Sequence, residues 1–181
     1  MKNQGLYELF MDELKDMLNS ENQIVESLPK LIKLASLPEL KEALSSHLKE
    51  TENQVTRLKQ IFSILGTKPS EITCEAMEGL IKEAEELTED RTKSPTLDAA
   101  IISAAQKIEH YEMASYGTLR SFAKHLDLDK KIATLLQETL DEEGAADKKL
   151  TKIAEGSFFS EGVNQEAAEH SGNSSKKSHK R

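Results

Sequence analysis

The chain has 181 residues, of which 37% are hydrophobic and 31% are charged, with a formal net charge of −8 at pH 7. This length suffices for one domain with a buried core, and the low glycine and proline content favours helices over β-hairpins. The acidic balance argues against a folded domain that binds nucleic acid, because phosphate contacts need clustered Lys and Arg. The single cysteine, Cys74, rules out an internal disulfide and a cysteine-rich zinc site.

The N-terminal stretch MKNQGLYELFMDELKD contains acidic residues and lacks the unbroken apolar run of a signal peptide. No later segment combines the length and the hydrophobicity of a membrane span. We therefore expect a cytoplasmic protein without a membrane partner.

Apolar residues recur at alternating spacings of three and four along four segments, which predicts four long helices. The first runs from about Leu6 to Leu34 and is expected to kink at Pro29. The second begins at Pro38 and stops at Gly66. The short connection between these two helices predicts an antiparallel pair.

The connection between the second and third long helices spans residues 67–97, and its stretch CEAMEGLIKEAEEL predicts a shorter crossing helix. A long crossover at this point is typical of ferritin-like bundles, in which two helical hairpins lie side by side. The third long helix is expected to begin at Ser94-Pro95. Asp127 or Asp129 is expected to cap the fourth, which ends at Gly156.

These elements predict an all-α fold, a ferritin-like four-helix bundle over residues 1–156 with an additional crossover helix between bundle helices 2 and 3. After Gly156 the helical period fades, and the final stretch HSGNSSKKSHKR is polar and basic. It has too little apolar surface to offset the entropy of ordering it. Residues 157–181 are therefore expected to be a flexible tail whose lysines are solvated rather than bound to a specific partner.

Polar residues interrupt the apolar seam of each long helix near its midpoint. Glu109 and Glu112, three residues apart on one helical face, give the strongest local signal. Antiparallel packing brings the helix midpoints to a similar height, so these groups are expected to meet in the core. The inward polar residues are Glu21, His47, Thr51, Gln54, Glu109, Glu112 and Glu143, with Glu50 beside the second seam.

Several buried carboxylates need compensating positive charge, because each unpaired one carries a penalty on the order of several kcal/mol. No Lys or Arg falls on the seams at this height. Protons would supply the charge by raised pKa values, but an oxygen-rich set with few nitrogens suits divalent iron or manganese better. The sequence therefore predicts a metal site, and no residue is assigned a catalytic role. The candidate ligands are Glu21, His47, Glu50, Glu109, Glu112 and Glu143.

Several individual residues have simpler alternatives. His47 could equally be a metal ligand, a hydrogen-bonded histidine of the core, or a residue that supports the ligands. His110 points about a quarter turn away from Glu109. Gly144, inside the fourth helix, costs about 1 kcal/mol relative to alanine and either permits close packing or is a tolerated defect.

The stretches ENQIVESLPKL, HLKETENQVTRL, AAQKIEHYEMASYGTLR and ETLDEEGAADKKL resemble the YciE/YciF family of bacterial stress proteins, a ferritin-like family. The resemblance covers about residues 4–156, and EHYEMASYGTLR is its most specific part. It implies a ferritin-like bundle, a homodimer, a dinuclear metal site and an association with stress responses.

In the superfamily pattern, the four bundle helices supply Glu, Glu-x-x-His, Glu and Glu-x-x-His in that order. By resemblance, the matching acids of the first, third and fourth helices are Glu21, Glu109, Glu112 and Glu143. The chain departs from the pattern at Thr51 and Gln54 on the second helix, unless the register shifts to Glu50. It also departs at Ala146 on the fourth, where Asp147 is the available substitute.

Two functions stay open at this point. One is a non-haem iron or manganese oxidoreductase that acts on peroxide, dioxygen or ferrous iron, for which the number of inward carboxylates speaks. The other is a non-catalytic dimeric stress protein with a structural or degenerate metal site, which the missing histidines favour.

Overall fold

The computed structural model describes residues 4–157 and 160–169. The predicted all-α fold with an extra crossover helix is confirmed. The helices are α1 Gln4–Leu34, α2 Pro38–Ile64, α3 Glu75–Thr88, α4 Pro95–His125 and α5 Lys130–Glu155. A two-residue antiparallel ladder then pairs β1 Gly156–Ser157 with β2 Ser160–Glu161, and residues 163–169 are helical.

The helix ends follow the start and stop signals of the sequence. Ser94 caps α4, and Asp129, one of the two residues predicted, caps α5 by accepting a hydrogen bond from the N–H of Lys131 at 2.8 Å. Gly156 ends α5 with φ of 78°, a left-handed conformation that suits glycine. Pro29 lies within α1, and the helix continues beyond it.

The start of α2 is capped from another helix. Leu37 occupies the N-cap position and provides no side-chain hydrogen bond. Instead Asp98 of α4, which is 3% exposed, accepts hydrogen bonds from the backbone N–H groups of Ser36 at 2.7 Å and Leu37 at 3.0 Å. This carboxylate therefore joins the first turns of α2 and α4.

Two apolar clusters fill the core, and they fix the direction of each long helix. One cluster contains Phe10 and the other contains Leu28, so α1 runs from the Phe10 cluster to the Leu28 cluster. α5 runs the same way, whereas α2 and α4 run in the opposite direction. Both hairpins are therefore antiparallel, while α2 and α4 are parallel. A parallel connection needs a long crossover, which α3 provides by packing against α4 and α1.

Part of the predicted tail, residues 157–181, is described. β1 and β2 follow α5 directly, and Val163 is buried against the Leu28 cluster. Gly162 lies so close to the end of α5 that a Cβ there would be 2.3 Å from the carbonyl carbon of Glu155. The basic stretch of residues 170–181 lies outside the described residues.

Candidate metal centre

A layer of buried polar side chains separates the two apolar clusters, and all four long helices contribute to it. Each of these residues is at most 6% exposed, so the prediction that they face the core is confirmed. We refer to them as the polar layer. Its members are Glu21 from α1, His47, Thr51 and Gln54 from α2, Glu109 and Glu112 from α4, and Glu143 from α5.

Four members of the polar layer form a candidate ligand set. Each offers one ligand atom, and these atoms all lie within 4.8 Å of one another. The Nε2 atom of His47 lies 3.3 Å from Oε1 of Glu109. Ligand atoms on opposite sides of an ion bound at about 2.1 Å are about 4.2 Å apart, so the set is close to the size that a divalent cation requires. The four residues are His47, Glu109, Glu112 and Glu143.

The polar layer contains many buried atoms that have no hydrogen-bond partner among the described residues. Buried polar groups are nearly always hydrogen-bonded, so such a concentration marks a place for a ligand. Most of the atoms are carboxylate oxygens, which with one imidazole fit a hard divalent cation such as iron or manganese. They are Glu21 Oε2, both ring nitrogens of His47, Gln54 Oε1, Glu109 Oε2, both oxygens of Glu112, and Glu143 Oε2.

Burial is the main cause of raised carboxyl pKa values in the polar layer. It raises the pKa of Glu21, Glu109 and Glu112, and the neighbouring Glu143 raises each of them further. Arg57 acts in the opposite direction on the pKa of Glu21. Without a cation among them, these carboxyl groups therefore hold protons more tightly than exposed ones, and a bound cation would take the place of those protons.

The guanidinium of Arg57 belongs to the edge of the polar layer rather than to its centre. It donates two hydrogen bonds to Glu142, at 2.8 and 2.9 Å, and one to Thr139 Oγ1 at 2.7 Å. Its charge is thus largely matched by Glu142. Among the described residues, no Arg or Lys forms an ion pair with the carboxyl groups of Glu21, Glu109, Glu112 or Glu143.

Tyr116 is a member of the site that the sequence pattern did not identify. Its hydroxyl donates a hydrogen bond to Oε1 of Glu21, and both side chains are completely buried. On a helical seam a tyrosine resembles any other core residue, which is why its polar role was missed. One signal was available: Tyr116 follows Glu112 by one helical turn and shares its face.

The two α2 residues that depart from the superfamily pattern form hydrogen bonds within the protein. Thr51 donates its hydroxyl to the backbone carbonyl of His47 at 2.9 Å. The amide of Gln54 donates to Glu143 and, at 3.0 Å, to Glu142. His47 is therefore the nitrogen that α2 offers to the candidate ligand set, and Gln54 orients the carboxylate of Glu143.

Glu50 and Asp147 lie outside the candidate ligand set. The Glu50 side chain is 43% exposed, and its Oε2 lies 3.9 Å from Nδ1 of His47, the nitrogen that faces away from Glu109. The interaction with His47 is the main reason that the pKa of Glu50 is lowered. Asp147 accepts a hydrogen bond from Gln106 at 3.0 Å and lies 3.3 Å from Nε2 of His110, which is itself well exposed.

Gly144 lies beside Glu143 in α5, and the structure shows whether close packing requires a glycine at this position. A Cβ placed on Gly144 would meet only Sδ of Met113, at an ordinary contact distance of 3.8 Å. Close packing therefore does not require glycine here, and the residue is a tolerated defect of the helix.

A cavity connects the candidate ligand set with the protein surface. It has a volume of about 170 Å³ and opens between α2 and α5. His47 and Glu109 lie at its inner end, and Glu50 and Lys149 lie at its rim. A small molecule that enters the cavity therefore lies beside His47 and Glu109.

Comparison with known proteins finds one matching family and one curated relative that covers most of the chain. The family model described as a domain of unknown function, DUF892, matches residues 5–168. Protein YciF of Escherichia coli strain K12 is 44% identical over 155 residues, which is 85% of this chain and 93% of that protein. The family match spans all members of the polar layer.

Solved structures agree with the fold. The crystal structure of the E. coli stress protein YciF aligns with a TM-score of 0.78 at 44% identity and covers 82% of this chain and 93% of its own. YcfI from Rhodopseudomonas palustris, provisionally described as a structural protein, aligns with a TM-score of 0.80 at 44% identity and covers 82% and 94%. A Xanthomonas campestris protein with 17% identity, a TM-score of 0.71 and coverage of 92% and 99% supports the fold alone.

Proposed function

The chain belongs to the DUF892 family, and from that membership and its polar layer we propose that it is a ferritin-like stress protein that binds two iron or manganese ions in the bundle core. The observation that carries the proposal is the meeting of His47 with three glutamates whose buried oxygens lack partners. A stress role is supported by the E. coli relative, which is called a stress protein.

The candidate ligand set would hold one ion, and Glu21 provides a place for a second. Its Oε2 is buried without a hydrogen-bond partner among the described residues, and the charge of Glu21 raises the pKa of Glu112, as expected for two neighbouring carboxyl groups. Glu112, with both oxygens free of partners, is thus suited to face two ions. When bound, iron or manganese would supply the redox chemistry needed for peroxide, dioxygen or ferrous iron.

The protein's own residues would orient the ligands and keep water from the site except through the cavity between α2 and α5. Tyr116 holds Glu21 by one oxygen, and Gln54 holds Glu143 by one oxygen. In each case the second oxygen is left free. The apolar clusters above and below the polar layer exclude water, which strengthens electrostatic interactions at the site.

Elemental mass spectrometry of the purified full-length protein tests metal binding, with and without incubation with ferrous iron or Mn²⁺. The proposal predicts a metal content that approaches two ions per chain and is lost in the double variant Glu109→Gln/Glu112→Gln. A matched control is Glu86→Gln/Glu89→Gln, because these two exposed glutamates have the same spacing on the surface. A helical wild-type protein that takes up neither metal contradicts the proposal.

The second candidate function is a non-catalytic stress protein with a structural or degenerate metal site. The hydrogen-bonded Thr51 and Gln54 favour it, because the pattern of ferritin-like oxidoreductases has metal ligands at these positions. The provisional description of YcfI as a structural protein points the same way. Oxidation of ferrous iron or consumption of peroxide by the metal-loaded protein, absent from the Glu109→Gln/Glu112→Gln variant, supports the oxidoreductase; metal binding without either supports this alternative.

The homodimer and the cytoplasmic location are further parts of the proposal, and the family resemblance supports the homodimer. Among the helices of the described residues, none is long and apolar enough to cross a membrane. Light scattering coupled to size-exclusion chromatography measures the mass in solution, for which the proposal predicts twice the 20.2 kDa of one chain.

A further inference from the structure

The cavity between α2 and α5 has the size of a small-ligand site. Its volume of about 170 Å³ is comparable to that of an engineered protein cavity of about 150 Å³ that binds benzene. A molecule of about six non-hydrogen atoms therefore fits. The cavity ends at His47 and Glu109, so such a molecule would lie against the candidate ligand set.

The walls of the cavity favour a ligand with an apolar body. Its apolar lining comes from both helices that flank it: Ala43, Leu44, Ala145, Ala146 and Leu150. The two alanines at 145 and 146 leave the space that a larger side chain on α5 would fill. An alkyl group of three or four carbons would remove this surface from water.

The charges that line the cavity favour a neutral ligand. An anion would meet the acidic side chains of Glu50 and Glu142, and Glu109 offers it no positive charge. An organic cation would meet Lys149 at the rim, and Glu142 is already paired with Arg57. A neutral molecule avoids both repulsions.

The inner end of the cavity favours a polar group that both donates and accepts hydrogen bonds. His47 and Glu109 line the cavity, and in the metal-free protein both ring nitrogens of His47 and Oε2 of Glu109 have no hydrogen-bond partner among the described residues. A hydroxyl or hydroperoxyl group has one donor and several acceptor sites, which match an imidazole beside a carboxyl group.

We propose that this cavity binds a short-chain alkyl hydroperoxide, with the alkyl group on the alanine and leucine wall and the hydroperoxyl group at His47 and Glu109. The choice of a hydroperoxide over an alcohol of the same shape rests on the proposed function, because the metal ions of that proposal are redox-active. The binding itself depends only on the walls of the cavity.

The binding is tested on full-length, metal-free protein, so that no reaction of the ligand interferes. Tert-butyl hydroperoxide and the unreactive tert-butyl alcohol are titrated into protein with labelled alanine and leucine methyl groups, and the methyl chemical shifts are followed by NMR. Saturable shifts are expected at Leu44, Ala146 and Leu150 with both probes.

Two leucine variants distinguish the cavity from other sites on the surface. Ala146→Leu places three carbons in the cavity and is expected to weaken binding at least tenfold, and Ala145→Leu at the rim is a second blocking variant. Ala114→Leu, at an exposed position of α4, is the matched control and is expected to bind like the wild type. Helical content measured by circular dichroism identifies variants that fold.

Shifts that do not saturate, or saturable shifts that persist in both folded blocking variants, overturn the proposal. Metal content is measured on the same proteins. Binding of the probes by a wild-type protein that takes up no metal supports the cavity site and overturns only the proposed metal function, so the two failures are distinguishable.

Discussion

Tyr116 of α4 donates its hydroxyl hydrogen to Glu21 of α1, and neither side chain is exposed to solvent. The bond joins two helices that belong to different hairpins of the bundle. Burial is the main cause of the raised pKa of Tyr116, so the phenol remains a neutral donor. One oxygen of Glu21 is thereby fixed, and the other is left without a partner.

Replacement of Tyr116 by phenylalanine is expected to destabilise the metal-free protein. Tyr116→Phe leaves a buried carboxyl oxygen without its donor, which costs about 1–3 kcal/mol in the free energy of unfolding. Urea denaturation followed by circular dichroism measures the loss. Tyr7→Phe is the control, because this half-buried tyrosine lies outside the polar layer. Its replacement should change the free energy of unfolding by no more than about 0.5 kcal/mol. Equal effects of the two variants would contradict the role given to the Tyr116 hydroxyl.

The free energy of unfolding of the metal-free protein is expected to contain a component that falls as pH rises. Glu21, Glu109 and Glu112 have pKa values raised above the ordinary 4.5, so above pH 4.5 the folded state binds more protons than the unfolded chain. Each extra proton contributes a slope of about −1.4 kcal/mol per pH unit until the folded pKa is passed.

Comparison with Glu109→Gln/Glu112→Gln isolates this component, because other titrating groups are common to both proteins. Denaturant unfolding between pH 5 and pH 8 should show a steeper decline for the wild type than for the variant. Parallel curves would show that these carboxyl groups do not retain protons in the folded state.

Replacement of Gly144 by alanine is expected to stabilise the protein. The added methyl group has space beside Met113, and alanine is favoured over glycine in a helix interior by about 0.5–1 kcal/mol. The thermal unfolding midpoint of Gly144→Ala should therefore rise while metal content stays at the wild-type level. A lower midpoint would mean that close approach of helices at this position does require glycine.

Replacement of Asp98 by alanine is expected to destabilise the bundle. Asp98→Ala removes the acceptor of two backbone N–H groups at the start of α2, at a cost of about 2 kcal/mol. Asp141→Ala is the control, since Asp141 is exposed and accepts a hydrogen bond from Gln137 four residues earlier within the same helix. Urea unfolding that shows the same midpoint for both variants would argue against this cap.

The helices and their order could be predicted from the sequence because their signals are local. The seam period, Ser94 before Pro95 and Gly156 after α5 all act within one or two helical turns. The height of the polar layer followed from the positions of the acids within antiparallel helices. The cap by Asp98 was not predicted, because it joins residues about sixty positions apart and has no local signal.

The partners of individual side chains in the polar layer also could not be predicted from the sequence. A seam position tells which face a residue occupies, but not which atom it meets. His47 and Glu50 lie one turn apart on α2, yet only His47 reaches the candidate ligand set. Likewise, the bond from Gln54 to Glu143 depends on how closely α2 and α5 approach, which side-chain packing decides.

The most direct test of the metal proposal is anomalous X-ray scattering from crystals of the full-length protein incubated with ferrous iron or Mn²⁺. The account predicts strong anomalous density at the metal absorption edge within the polar layer, in contact with His47, Glu109, Glu112 and Glu143. Density only at the protein surface, or none in crystals of the folded protein, would contradict it.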